Sequence, residues 1–112
     1  MGQYLTRGDL VTVAAKGHYS GKPRPALILQ SDLFSALGSV TICLLTTDIV
    51  DAPLFRLTVE PSPANGLLQT SQIMIDKIVT VPQATIGARM GSLDREIMVR
   101  TDRSLAVFLG IV

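Results

Sequence analysis

Short apolar runs broken by turn chemistry fill most of this chain, and a longer stretch with helical spacing closes it. Leu10-Val11-Thr12-Val13-Ala14 is short and β-branched, which predicts a first strand. Lys16 to Pro23 is polar and carries Gly17, Gly21 and Pro23, the composition of a loop. Pro25 to Gln30 predicts a second strand, apolar enough to be buried on both faces. Ser31 and Asp32 can cap a short helical turn through Leu37, which Gly38 ends. Val40 to Thr46 and Phe55 to Val59 predict a third and a fourth strand, the latter alternating apolar with polar positions. Pro61 to Gly66 is turn chemistry, with Asn65-Gly66 suited to positive φ. Ser71 to Asp76 and Ile78 to Val81 read as two further short strands, and Ile86 to Met90 as another.

The last segment differs in kind. Ser92 is read as the N-cap, and Asp94 and Glu96 fall in the first turn, where carboxylates suit the helix dipole. Leu93, Ile97, Leu105, Phe108 and Leu109 recur at helical spacing, with Arg95, Arg100 and Arg103 on the other face, and the helix closes near Gly110. The pattern predicts a mainly β fold: a small, curled antiparallel sheet with a C-terminal helix packed on it. Residues 1–112 have the length of one domain with a single core.

Composition sharpens this. The chain is 47% hydrophobic and 17% charged, whereas ordinary soluble domains are roughly 25% charged. So much Val, Ile and Leu excludes disorder. Apolar stretches such as Ala26 to Leu29 and Ile42 to Leu45 fall far short of the roughly 20 residues that span a bilayer. The apolar surplus points instead to a subunit interface. Ten Lys and Arg against nine Asp and Glu exclude a polybasic nucleic-acid binder, but Arg supplies seven of the ten cations, and Arg suits bidentate contact with phosphate. Cys43 is the only cysteine and sits in an apolar run, as a small buried hydrophobe would. The Met1 to Arg7 segment has no apolar h-region, so a cytoplasmic location is expected.

Familiar chemical motifs are absent. One Cys and one His cannot build a zinc site, and there is no phosphate-binding glycine loop and no nucleophile elbow. Five dispersed aromatics make a poor base-stacking platform. A thinner set remains. His18 lies in the loop before the second strand. Arg24 opens that strand between Pro23 and Pro25, which hold the backbone extended. Thr46 and Thr47 end the third strand, and Asp76, followed by Lys77, ends a later one. Strand ends on one rim would bring a cation, an imidazole, hydroxyls and a carboxylate together. That set suits metal-free cleavage of RNA: a base takes the 2′-hydroxyl proton, a fixed cation stabilises charge growing on phosphorus, and an acid protonates the leaving oxygen.

In order along the chain, these segments resemble the MazF/PemK (Kid) family of toxin ribonucleases from toxin–antitoxin modules. Arg7-Gly8-Asp9-Leu10-Val11 is similar to the family's opening strand, and Arg24 to Asp32 to its most recognisable stretch. Val40 to Thr46, Ser71 to Lys77 and Ile86 to Leu93 match further family segments. The resemblance implies an SH3-like barrel, a homodimer, sequence-specific cleavage of single-stranded RNA without metal or other cofactor, and neutralisation by a cognate antitoxin. It also implies that Arg24 is the catalytic arginine and Thr46 its partner, with His18 and Asp76 in the Kid-like roles. Lys16, Lys22, Thr47, Lys77 and Arg89 are then expected to line the RNA groove. The chain departs from the Kid-like pattern at Met74 and Val79, positions often occupied by arginine, and at Lys77, where glutamine is usual.

Three other readings compete. The ending Phe108-Leu109-Gly110-Ile111-Val112 partly echoes the gyrase-poisoning CcdB toxins, which share the barrel, but lacks their tryptophan. A catalytically degenerate protein that only binds an antitoxin is another reading. A plain SH3-like ligand-binding module is the third, and the scattered aromatics speak against it.

Overall fold

The computed structural model describes residues 5–14 and 22–111. Six strands and one α-helix follow in order: β1 Asp9–Val13, β2 Arg24–Ile28, β3 Ser39–Thr46, β4 Arg56–Val59, β5 Ser71–Pro82, β6 Ile86–Ser92 and α1 Arg95–Leu109. They build a single sheet in the order β4-β5-β3-β2-β1-β6, every pairing antiparallel. The mainly β fold with a C-terminal helix is as the sequence pattern predicts. The implied barrel is not closed, because β4 and β6 are edges with no ladder between them.

A turn spans the opening instead. The Ser92 amide donates to the Ala64 carbonyl at 2.9 Å, joining the end of β6 to the turn that leaves β4. The approach is closer than side chains allow. A Cβ on Gly91 would lie 2.2 Å from the Ala64 oxygen, and one on Gly66, at φ +72°, would lie 2.3 Å from the Met90 oxygen. Asn65 fixes the turn from inside. Its Oδ1 accepts from the Ser62 and Leu67 amides, and its Nδ2 donates to the Glu60 carbonyl.

Two further corrections concern strand and helix ends. Ser71–Asp76 and Ile78–Val81 are one strand, not two. Along it, two steps on β3 (Cys43 to Leu45) answer five on β5 (Ile78 to Ile73), a bulge that lets one strand serve both segments. Asp94, not Ser92, caps α1, its side chain accepting from the Ile97 amide. Ser92 is still paired with Asp9 in the sheet, so the helix starts beyond it. Gly110, at φ +73°, ends α1 as expected.

The sheet buries both faces. Leu10, Leu27, Cys43, Leu45, Leu57, Ile73 and Ile75 form one core, against which Ile97, Met98 and Leu105 of α1 pack. Val11, Val13, Ala26, Ile28, Val40 and Ile42 form the other, with Leu44, Val81 and Ile86 at its margin. Consecutive residues Ala26, Leu27 and Ile28 are all buried, which accounts for the unbroken apolar run of β2. Phe108 and Leu109 do not join the helix's packed face. They are about half exposed, with Val107 and Ile111 beside them. The Arg7-Gly8-Asp9 opening is structural. Arg7 bonds the Leu29 carbonyl and Asp102 of α1, and Asp9 accepts from Arg89 Nε at 3.1 Å.

Candidate active site

Register determines which candidates meet. β2 and β3 pair Ala26 with Leu44 and Ile28 with Ile42; the ladder stops there, and Arg24 and Thr46 are the next positions out on the same face. Thr46 is in turn opposite Gln72 on β5, and Gln72 opposite Thr58 on β4. Val13 of β1 completes the row at its other end, opposite Arg24. Residues two apart share a face, so this row lies with Ala26 and Leu44 on the side of the sheet turned away from α1. Arg24 is half-buried and Thr46 buried. Thr46 Oγ1 accepts from the Asp48 amide at 3.0 Å, which turns the chain at the strand end and leaves its hydroxyl proton for another acceptor.

The next row holds the carboxylate. Met74 is opposite Arg56, and Asp76 lies in the bulged stretch between them and Ile78. Arg56 Nε and Nη2 donate to the two Asp76 carboxylate oxygens at 2.9 and 3.2 Å, a bidentate fork. These hydrogen bonds hold the Asp76 carboxyl below its ordinary range and raise the Arg56 guanidinium further still. The guanidinium also lies over the Phe55 ring, 5.8 Å from its centroid. Arg56 is absent from the sequence-derived set. Its one signal there is a cation facing outward on an alternating strand, which identifies no partner.

The remaining candidates are dispersed. His18 and Lys16 lie outside the described residues. Lys22 is exposed just before β2, Thr47 is exposed just after β3, and Lys77 is exposed beside Asp76. Arg89 is on β6, two strands from β2, roughly 10 Å away at ordinary strand spacing. Its Nε is engaged by the buried Asp9. Gln72, buried at the centre of the row, holds the loop after β3 by exchanging hydrogen bonds with the Val50 amide and carbonyl. Cys43 is buried on the helix side, and burial, with Asp76 next in effect, pushes its thiol up to about 12, so it offers no nucleophile. Among the described residues, no group of three His, Cys, Asp or Glu is placed to hold a metal ion, and no helix is long and apolar enough to cross a membrane.

A half-buried cation and a strand-end hydroxyl on one face of an open antiparallel sheet with one C-terminal helix agree with what comparison finds. The profile of the PemK-like, MazF-like toxin of type II toxin-antitoxin system matches residues 6–109, and the chain belongs to that family. It is 54% identical over 107 residues to the probable endoribonuclease MazF of Mycolicibacterium smegmatis, covering 96% of this chain and 98% of the relative. Its fold is similar to that of the Mycobacterium tuberculosis toxin MazF-mt6, with TM-score 0.77 and 22% identity over 91% of this chain and 96% of that one. It is likewise similar to a mycobacterial endoribonuclease solved in complex with its cognate antitoxin, with TM-score 0.79 and 23% identity over 96% and 97% of the two chains. The gyrase-poison, degenerate and ligand-module readings gain no support from these relatives.

Proposed function

We propose that this chain is the toxin of a type II toxin–antitoxin module and acts as an endoribonuclease on single-stranded RNA. The strand-end placement of Arg24 and Thr46 on one sheet face carries the reading, supported by the curated relative named an endoribonuclease. In the proposed reaction the 2′-hydroxyl loses its proton to a base and O2′ bonds to phosphorus. The P–O5′ bond breaks, and O5′ takes a proton, leaving a cyclic phosphate and a 5′-hydroxyl. Charge grows on the non-bridging oxygens as the fifth bond forms. Arg24, aimed by its flanking prolines, stabilises that charge, and Thr46 donates a hydrogen bond to it. Because fixed side chains supply the positive charge, cutting proceeds in EDTA. His18 is the proton-transfer group that the family resemblance offers from the preceding loop. Lys16, Lys22, Thr47, Lys77 and Arg89 are proposed to border the RNA path.

We further infer that the toxin is cytoplasmic, works as a homodimer and is neutralised by a cognate antitoxin. The exposed apolar end of α1 and the exposed Leu33, Phe34 and Leu37 support an interface. The relative solved with its antitoxin supports the partner. Primer-extension mapping tests the activity. Wild type is expected to cut at defined sequences in EDTA, and Arg24→Ala to lose at least about 100-fold in kcat, the scale of removing one charge-stabilising donor. Undiminished cutting by that variant refutes the proposal. Light scattering at micromolar concentration tests the dimer, and a monomer there refutes it.

A further inference from the structure

The pair formed by Arg56 and Asp76 calls for a role that a surface ion pair does not need. Both side chains are mostly buried, with relative exposures of 15% and 22%, on the same sheet face as the Arg24–Thr46 row. The carboxylate grips one edge of the guanidinium and the Phe55 ring lies under its face. A long flexible side chain is thereby held in one orientation before any ligand arrives, so the ordering entropy is already spent. Two of its five N–H bonds go to Asp76. Nη1 keeps both of its protons, and Nη2 one, with no other acceptor among the described residues.

Resting on the endoribonuclease reading above, we propose that Arg56 binds the phosphate of a nucleotide neighbouring the one that reacts, and that Asp76 is its positioning residue and not a proton-transfer group. The strand order sets the distance. β4 and β2 are three strand spacings apart, roughly 14 Å. Arg56 leans inward over β5 to reach Asp76, which brings its charge toward Arg24 by about one strand. That separation suits successive phosphates of an extended single strand better than one shared phosphate. The charges around Asp76 agree with a positioning role. Arg56 meets it from β4, Lys77 adjoins it on β5, and the neutral Cys43 thiol on the helix side of β3 is within electrostatic reach. A carboxylate kept ionised this way is no proton donor near neutral pH and a weak base.

The test separates backbone binding from chemistry. A short single-stranded RNA spanning a mapped cut site, fully 2′-O-methylated so that it cannot be cleaved, is titrated against the full chain over a range of salt. Each phosphate neutralised on a single strand contributes about 0.7 to the slope of log Kd against log salt. Arg56→Gln is expected to reduce the slope by about 0.7 and raise Kd about tenfold. On cleavable RNA it should leave kcat within about threefold, an effect on binding and not on the chemical step. Arg56→Lys keeps the charge and should restore the wild-type slope, and if Arg56→Gln proves unstable in a thermal melt, Arg56→Met removes the charge at similar length and is expected to lose the same slope of about 0.7. Asp76→Asn leaves the Arg56 charge but can accept through only one oxygen, so Kd should rise a few-fold while the slope and the pH dependence of kcat do not move, and an unchanged Kd overturns the positioning role. An unchanged slope in Arg56→Gln, or loss of cleavage in Asp76→Asn as complete as in Arg24→Ala, overturns the proposal while Arg24-dependent cleavage still stands. Wild type that fails to bind this RNA, or Arg24→Ala that cuts like wild type, overturns both readings.

Discussion

Replacing Gly91 by alanine attacks the turn that draws the open sheet together. The new Cβ would lie 2.2 Å from the Ala64 oxygen and 2.7 Å from the Asn65 carbonyl carbon, so backbone, not a flexible side chain, must move. Moving the turn away from β6 breaks the Ser92–Ala64 hydrogen bond, worth about 1 kcal/mol. It also loosens the three bonds that satisfy the buried Asn65, at about 1–2 kcal/mol for a partly unmet buried group. Leu67, 7% exposed beside that turn, loses part of its burial, about 1 kcal/mol more. The sum is about 3–4 kcal/mol, which at about 4 °C per kcal/mol lowers Tm by about 12–16 °C for a domain of this size. Thermal denaturation followed by circular dichroism measures it. Gly38→Ala is the matched control, since nothing lies within 4 Å of its Cβ position, and it should leave Tm nearly unchanged. A Gly91→Ala protein that melts within about 2 °C of wild type would refute the idea that this turn closes the fold.

Two further outcomes follow from the titrating groups. Arg56 holds the Asp76 carboxyl below its ordinary value, so the pair's stabilisation is complete above the unfolded value of about 3.9 and is lost as pH falls through the depressed native one. Arg56→Gln should therefore flatten the fall of Tm below about pH 4, and an unaltered slope in acid melts counts against it. Cys43, buried and pushed up to about 12, should resist iodoacetamide in the native protein at mildly alkaline pH and react once denatured. Equal labelling rates in the two states would contradict its burial.

What the sequence shows and what it hides have separate physical causes. β1 to β4 and α1 are legible from their burial patterns: the unbroken Ala26-Leu27-Ile28 run marks a strand covered on both sides, and Ile97 and Leu105 mark one helix face. β5 is illegible as one strand because its bulge reverses the alternation, so the polar Asp76-Lys77 pair looks like a gap between two strands. The Ser92 cap is misread because Ser92 and Asp94 both have capping chemistry. Only the pairing of Ser92 with Asp9, across the whole chain, decides between them. The open edge is hidden for a similar reason, since a strand count does not say whether β4 finds β6. Arg24 and Thr46 stand out because one opens an apolar run and the other ends one. Arg56 does not, because its meaning comes from a carboxylate twenty positions away on a neighbouring strand.

The bulge in β5 has one more consequence. Ile73 and Ile75 belong to the helix-side core, while Val81, with the same odd numbering, belongs to the margin of the opposite one. A single backbone segment thus threads both layers, and neither can come apart without dragging the other's ladder with it. Such sharing makes unfolding cooperative, and the slowest-exchanging amides should run along β3 and β5 together. Asp76 lies at the crossover between the layers, so its position is fixed by the integrity of both and not by the local chain alone.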